Sequence, residues 1–214
     1  GYKGNFMDGA LYVAVAGFYA DYKDVQIPGS VACTVNVGGV ATPSFCGIVS
    51  NAGKARFKGL EFESNARLGR DILSSGDRLN LATAIGYIDA EYREYITNIG
   101  GVPTDVAQYR RVQNTPKWTA SGTLSYNTPV GDGSLYVGST LSWRSKTYQF
   151  EIPNPYIDQG GYALWDASIV YTAPSDRWTI GVHGKNILDK AYKTSGYTFV
   201  AANPVTGAII NNAA

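Results

Sequence analysis

Charge is scarce in this chain. Lys, Arg, Asp and Glu make up 16% of 214 residues and leave a net +1. So even a balance gives no electrostatic reason to expect nucleic acid or an anionic surface as partner. Leucine and isoleucine are sparse and methionine occurs once, which is thin for the packed core of a soluble domain this size. No apolar run approaches the length of a membrane-crossing helix. Histidine occurs only at His183, and with two cysteines there is no Cys/His cluster of metal-binding spacing. No metal or cofactor is expected. In place of what is missing stand 25 Gly, 16 Tyr and an aromatic content of 13%.

What is present alternates. In residues 118–127 Trp118, Ala120, Gly122, Leu124 and Tyr126 take one face; Thr119, Ser121, Thr123, Ser125 and Asn127 take the other. After the turn Gly131-Asp132-Gly133, Leu135, Val137, Leu141 and Trp143 oppose Tyr136, Gly138, Thr140, Ser142, Arg144 and Lys146. Successive side chains of a strand point to opposite faces, so this is a β-hairpin with one apolar and one polar side. Similar segments read at Ala10–Ile27, Gly47–Leu68, Asp77–Ile96, Lys117–Thr128, Ser134–Ile152, Gly161–Thr172 and Trp178–Tyr197, with a stub at Gly1–Phe6. "LYVAVAGFYADY" is apolar on both faces, which leaves its register open. "AEYREYI", residues 90–96, has a short helix as its alternative, against the strand pattern that flanks it.

Tight polar connections at Met7–Gly9, Gly69–Gly76, Gly131–Gly133 and Pro174–Arg177 alternate with long ones at Pro28–Cys46, Thr97–Pro116, Pro153–Gly160 and from Thr198 onward. This describes an up-and-down antiparallel meander with a short-turn end and a long-loop end. Several strands approach roughly twenty residues, where sandwich strands mostly run to about five or six. Aromatics gather near the short-turn end (Trp118, Tyr126, Tyr171, Trp178) and again higher (Tyr87, Trp143, Tyr148). Two such belts suit a lipid-facing girdle. A soluble sheet wets its polar face and a membrane barrel does the reverse. Gly and Ala between the aromatics, rather than Leu and Ile, favour the membrane barrel. Leu60, Phe62, Trp118, Leu124, Leu135, Val137, Trp143, Trp165, Ile169, Trp178 and Ile180 are expected on a convex, lipid-facing side.

The stretches "ALYVAVAGFYADYKDVQI", "NAGKARFKGLEFESNARL", "LATAIGYIDAEYREY", "VQNTPKWTASGTLSY" and "WTIGVHGKNILDKAY" follow one another in an order that resembles TonB-dependent outer-membrane receptors. The most diagnostic are Asn51–Ala55 before Gly59-Leu60-Glu61, Asn114-Thr115-Pro116 before a Trp strand, and Lys185–Asp189 with Tyr192. The resemblance implies an all-β, antiparallel transmembrane β-barrel of 22 strands with a plugged lumen. Residues 1–214 would then be its C-terminal portion, an open curved sheet of about 8 strands, a stub of strand 14 through strand 21. The plug, the N-terminal box that meets the energising TonB complex, and the closing strand would lie elsewhere. By itself such a piece, with two open edges, is expected neither to transport nor to form a stable monomer.

No catalytic constellation is present, so the chain does not read as an enzyme. His183 has no acid or nucleophile at a useful spacing, and Gly131-Asp132-Gly133 is a turn rather than a phosphate cradle because no helix follows. Glu61 and Glu63, with Arg67 and Arg56 near in sequence, suit a charge network on the lumen wall that touches the plug. Cys33 and Cys46 share one long loop. They suit a disulfide in an oxidising compartment, with two free thiols as the alternative. Candidate ligand contacts are Tyr109, Arg110 and Arg111 at one strand's outer end, and Arg144, Lys146, Tyr148, Phe150 and Tyr156 on its neighbour. Arg110, Arg111, Arg144 and Tyr148 are expected to face one vestibule. Cations and aromatics together hold anionic or catecholate-like solutes; a solvated rim is the alternative.

The resemblance implies energy-coupled uptake of a scarce bulky solute, most often a ferric siderophore, across the outer membrane of a Gram-negative bacterium. A passive porin-like channel and a soluble secreted β-protein such as a lectin or adhesin are the other readings.

Overall fold

The computed structural model describes the chain apart from residues 52, 100, 197, 203–208 and 214, and describes the backbone alone at 27–32, 45, 48, 50, 198–202 and 209–213. In chain order the strands are β1 (Tyr2–Phe6), β2 (Leu11–Lys23), β3 (Gln26–Val37), β4 (Val40–Asn51), β5 (Gly53–Arg70), β6 (Arg78–Ile99) and β7 (Val102–Asp105). They continue as β8 (Trp118–Val130), β9 (Gly133–Arg144), β10 (Tyr162–Thr172), β11 (Thr179–Gly184), β12 (Thr198–Ala202) and β13 (Ile209–Ala213). One antiparallel sheet runs β1-β2-β5-β6-β8-β9-β10-β11, with β7 folded back on β6. The sheet is open: its edges are β1 and β11.

Cross-strand register fixes the faces, because directly opposed residues share a side. Val15↔Phe62↔Ile85↔Ala120↔Trp143 is one row and Gly17↔Leu60↔Tyr87↔Trp118 the next. Further along, Leu124↔Ser139↔Ala167 and Tyr126↔Val137↔Ile169↔Val182 lie on the same side. One apolar face thus crosses all eight strands, and the strand residues expected on it are there. Leu60, Trp118, Leu124, Trp143, Ile169 and Ile180 are exposed on it, and Trp178 packs at 5.6 Å against Tyr171. The opposite face is polar. Around Glu61, Glu63, Ser121, Ser142 and Arg144 it holds a depression of about 340 Å³. The register also resolves β2: Leu11, Val13 and Val15 share the apolar face and Tyr12, Ala14 and Ala16 the polar one.

Polar atoms on the apolar face pair with each other. Ser64 Oγ lies 2.7 Å from Thr83 Oγ1, and Trp165 Nε1 donates to Ser139 Oγ at 2.8 Å. In water such pairs would be optional. In hydrocarbon an unmatched hydroxyl or indole N–H costs several times more.

Several sequence expectations are corrected. Pro28–Cys46 is not an irregular loop but most of a hairpin, β3–β4, which pairs with no other strand among the described residues. Valines alternating with small residues favour strands. Gly38 and Gly39 (φ 60° and 89°) supply the two left-handed positions of a two-residue turn between Val37 and Val40. A disulfide joins Cys33 to Cys46 across this hairpin, with Cα atoms 5.8 Å apart. The single strand expected at Gly47–Leu68 is broken near Gly53 (φ 109°). β9 stops at Arg144 rather than running to Ile152, with only an isolated bridge, Thr147↔Gln159, beyond it. β11 stops at Gly184, not near residue 197. Asn186 and Asp189 are left-handed (φ 48° each), the Asn186 N–H donates to Asp166 Oδ1 at 2.7 Å, and Asn186 Oδ1 accepts from Lys190 N at 2.9 Å. These local bonds replace the ladder. Thr97–Pro116 contains β7 and a 3-10 turn at Ala107–Tyr109, and the stretch from Thr198 contains β12 paired with β13. "AEYREYI" is strand, within β6.

The turn between β5 and β6 is closed by Asp77, the only fully buried large side chain among the described residues. Its carboxylate accepts from Ile72 N (2.8 Å), Leu73 N (2.7 Å), Ser74 N (2.9 Å) and the Tyr126 hydroxyl (2.7 Å). Burial pushes the carboxyl up, but the three backbone donors and the tyrosine together hold it well below the usual carboxylate range. A depressed folded pKa contributes stability that is present above the unfolded carboxyl's range, about pH 4, and is lost as pH falls through the folded value. Asp77→Ala should therefore speed amide exchange at Ile72–Ser74 about tenfold or more at neutral pH. Unchanged exchange there would show that the turn does not depend on Asp77.

Candidate functional site

At the long-loop end β6 outgrows its neighbours and β7 returns along it, Ile96 opposite Asp105. Asp105 Oδ1 accepts from both Tyr95 N and Ala107 N at 3.0 Å, and these two bonds hold its carboxyl below the usual range. The chain then enters the 3-10 turn with Val106 buried against Ala55, Tyr92 and Tyr95, a small apolar core above the sheet. The chain leaving this core is laced to the segment after β9. Arg111 N donates to Glu151 O at 2.8 Å, Asn114 N to Tyr148 O at 2.9 Å, and Gln113 Nε2 to Glu151 Oε2 at 2.8 Å.

Between these two segments and the polar face of β6 lies a cavity of about 400 Å³. Arg110, Arg111, Lys117, Lys146, Tyr92 and Tyr148 are on its wall. The Arg110 guanidinium sits 5.3 Å from the Tyr95 ring centre and its buried Nε has no hydrogen-bond partner among the described residues. Lys146 Nζ stands 4.5 Å over the Tyr148 ring and 3.5 Å from Asp158, and Lys117 Nζ 5.6 Å over Tyr87. Arg111 Nη1 turns back to the carbonyls of Gln108 (3.0 Å) and Arg110 (2.7 Å). Asp89 and Glu91 also border the space, but Lys58 (3.2 Å) and Arg93 (2.9 Å) neutralise them. The balance in the cavity is cationic, over aromatic rings. Such a wall can grip an anionic, partly aromatic solute.

The sequence expectation gathers more residues than the structure does. Arg110, Arg111, Lys146 and Tyr148 meet in this cavity. Arg144 does not: it lies in the lower depression, its guanidinium 5.5 Å over the Tyr162 ring, which stacks on Tyr192 at 4.6 Å. The reason is register, since Arg144 is the last strand residue of β9, opposite Tyr162 and Thr119, while Lys146 is past the strand's end. Tyr109 and Tyr156 are exposed outside the cavity and Phe150 is half-buried away from it. Lys117 and Tyr92 were not singled out in the sequence; a Lys directly before the first Trp of a strand was the available signal.

Glu61 and Glu63 lie side by side in the lower depression with Arg144. Among the described residues no ion pair joins either to Arg67, which is four residues further along β5 than Glu63, roughly 13 Å at strand rise. Arg56 is on the other face, bound to Asp21 at 2.8 Å. The charge network expected of Glu61, Glu63 and Arg67 is thus not made within this chain's described residues.

A family model described as TonB dependent receptor-like, beta-barrel matches residues 1–187. The crystal structure of the siderophore receptor PiuA from Acinetobacter baumannii superposes with a TM-score of 0.63 at 20% identity, over 99% of this chain and 25% of that one. At that identity the likeness speaks for the fold, and this chain spans a quarter of the receptor's length. The matched stretch takes in the whole β1–β11 sheet, and the chain belongs to the TonB-dependent receptor-like β-barrel family.

Proposed function

We propose that this chain is part of the wall of a Gram-negative outer-membrane receptor that takes up a scarce bulky solute, a ferric siderophore, with energy supplied through TonB. The observation that carries the reading is the single apolar face across eight strands, back to back with a polar face. Lipid outside and an aqueous or protein-filled lumen inside make that arrangement favourable. Family membership and the likeness to PiuA, a siderophore receptor, support it.

In this reading the chain binds and does not catalyse. The cationic-aromatic cavity at the long-loop end captures the solute. The plug of the same full-length protein fills the lumen, and its cations meet Glu61 and Glu63, whose charge is costly beside hydrocarbon unless neutralised. The disulfide keeps the β3–β4 hairpin folded on the oxidising, extracellular side.

The test is binding of ferric siderophores by the full-length receptor. Arg110→Gln with Lys146→Gln should weaken binding of an anionic ferric catecholate by about ten- to a hundredfold, from two lost charge-assisted contacts. The loss should be larger at low salt, where exposed charges are less screened. Equal affinity of wild type and variant at both salt concentrations would remove the cavity from the proposal.

A further inference from the structure

One of the two segments that wall the upper cavity, residues 145–160, is built around a buried carboxylate. Asp158 is 7% exposed, and two backbone N–H groups hold it: Asn154 N donates to Oδ2 at 3.1 Å and Gln149 N to Oδ1 at 3.4 Å. The bridge Thr147↔Gln159 fastens the next residue through bonds of 2.9 and 3.1 Å, and Thr147 and Gln149 are buried as well. From the segment after β11, Lys193 N donates to Gln159 Oε1 at 2.7 Å and Lys193 Nζ to the Tyr156 carbonyl at 2.6 Å. Asp158 is therefore a negative charge fixed in place.

Its charged partner is Lys146, whose Nζ lies 3.5 Å from Oδ2. The two differ in freedom. The Lys146 side chain is half exposed and stands over the Tyr148 ring, whereas the Asp158 side chain is almost wholly buried. A buried carboxylate stripped of its counter-ion is strongly destabilising, so an anion entering the cavity cannot draw Lys146 away. It must share the ammonium with Asp158, which is possible because an ammonium has three donors. The other carboxylates near the cavity are committed elsewhere: Asp89 to Lys58, Glu91 to Arg93 and Glu151 to Gln113. Among the described residues, Asp158 is the carboxylate that pairs with a cation of the cavity wall.

We infer that Asp158 is a specificity-determining residue of this cavity: it half-neutralises Lys146, so that the site takes an anion whose charge is spread over an aromatic ring and excludes a small, hard one. This rests on the binding reading given above. A phosphate set against Lys146 Nζ is attracted by the ammonium and repelled by the carboxylate directly behind it. It would give up a strong hydration shell for the small difference. A catecholate places only part of its charge on the ammonium, and its ring gains contact with Tyr148 and the Arg110 guanidinium.

The test is displacement of a ferric tris-catecholate from the full-length receptor by sodium phosphate, set against sodium chloride of equal ionic strength. In wild type the two salts should act alike. In Asp158→Asn phosphate should compete about five- to tenfold better than chloride, the size of one partly screened charge contact. Asp158→Glu restores the charge on a longer side chain and should again exclude phosphate, although it disturbs the buried packing more than asparagine does. A purely structural role predicts the reverse order, with Asp158→Glu the worse variant. In a Lys146→Gln background Asp158→Asn should change nothing further, because Asp158 acts through the lysine. Phosphate and chloride acting alike in Asp158→Asn, equal competition in Asp158→Glu and Asp158→Asn, or an effect that persists without Lys146 would overturn the assignment. A wild-type receptor that binds no ferric tris-catecholate would instead overturn the binding reading beneath it.

Discussion

Leu141→Arg in the full-length receptor should destabilise the barrel by roughly 2–4 kcal/mol, while Ser125→Arg should leave it nearly unchanged. The two positions belong to a hairpin, β8–β9, and differ in the face they take. Leu141 is opposite Trp165 on one side and Gly122 on the other, inside the apolar band one row from Trp143 and two rows from Tyr126, and is 55% exposed. A guanidinium there must either stay in hydrocarbon or thin the bilayer to reach water. Ser125 is opposite Asn80 and Gly138 on the polar face, where a guanidinium meets water or the polar surface of the plug rather than lipid. Unfolding in urea-containing micelles, followed by heat-modifiable gel mobility, reads the difference. A harmless Leu141→Arg beside a damaging Ser125→Arg would mean that the apolar face is the inside, and the membrane reading would fall.

Which face is which was legible in the sequence because strand alternation is a local property and needs no knowledge of the partner strand. Leu124 and Thr123 declare their sides wherever β8 is placed. β2 was not legible for the same reason: with Tyr12, Ala14 and Ala16 on one side and Val13 and Val15 on the other, neither side is polar. Its register is decided by β5, where Phe62 and Leu60 demand apolar neighbours. The β3–β4 hairpin was hidden by composition. Gly, Pro, Ser and Thr suggest a loop, yet Val37-Gly38-Gly39-Val40 is also the signal of a two-residue turn between strands. Strand ends were overestimated wherever a side chain offered the backbone another partner, as Asn186 does beyond Gly184.

The candidate site was half legible. Charge and aromaticity pointed to residues 109–111 and 144–156, but sequence spacing cannot say where a strand stops. A single residue, Ser145, separates Arg144 from Lys146, and the end of β9 between them sends one to the lower depression and the other to the upper cavity. Asp158 was invisible for a related reason. It looks like an ordinary loop residue until the fold sets it against Lys146.

Gly59→Val should be as damaging as any change on the lipid face, for a reason of space alone. β5 and β6 make the longest pairing in the sheet, and Gly59 is opposite Ile88 within it. A Cβ built on Gly59 overlaps the Tyr87 carbonyl oxygen and reaches 2.6 Å from Phe18 Cζ, so backbone as well as a ring must move. The ring can swing aside, but the carbonyl belongs to the ladder and cannot move without breaking β5–β6 bonds. Overpacking of this kind costs typically about 1–3 kcal/mol, and more where backbone must shift. The valine's β-branching, ordinarily favourable in strands, does not offset a lost ladder bond. Gly122→Ala is the control: nothing lies within 4 Å of its added Cβ, and it should stay within about 0.5 kcal/mol of wild type. Both variants are compared in the full-length receptor by the urea midpoint of the folded, slow-unfolding band. Matching midpoints for Gly59→Val and wild type would show that β5 and β6 do not approach each other here as closely as this register requires.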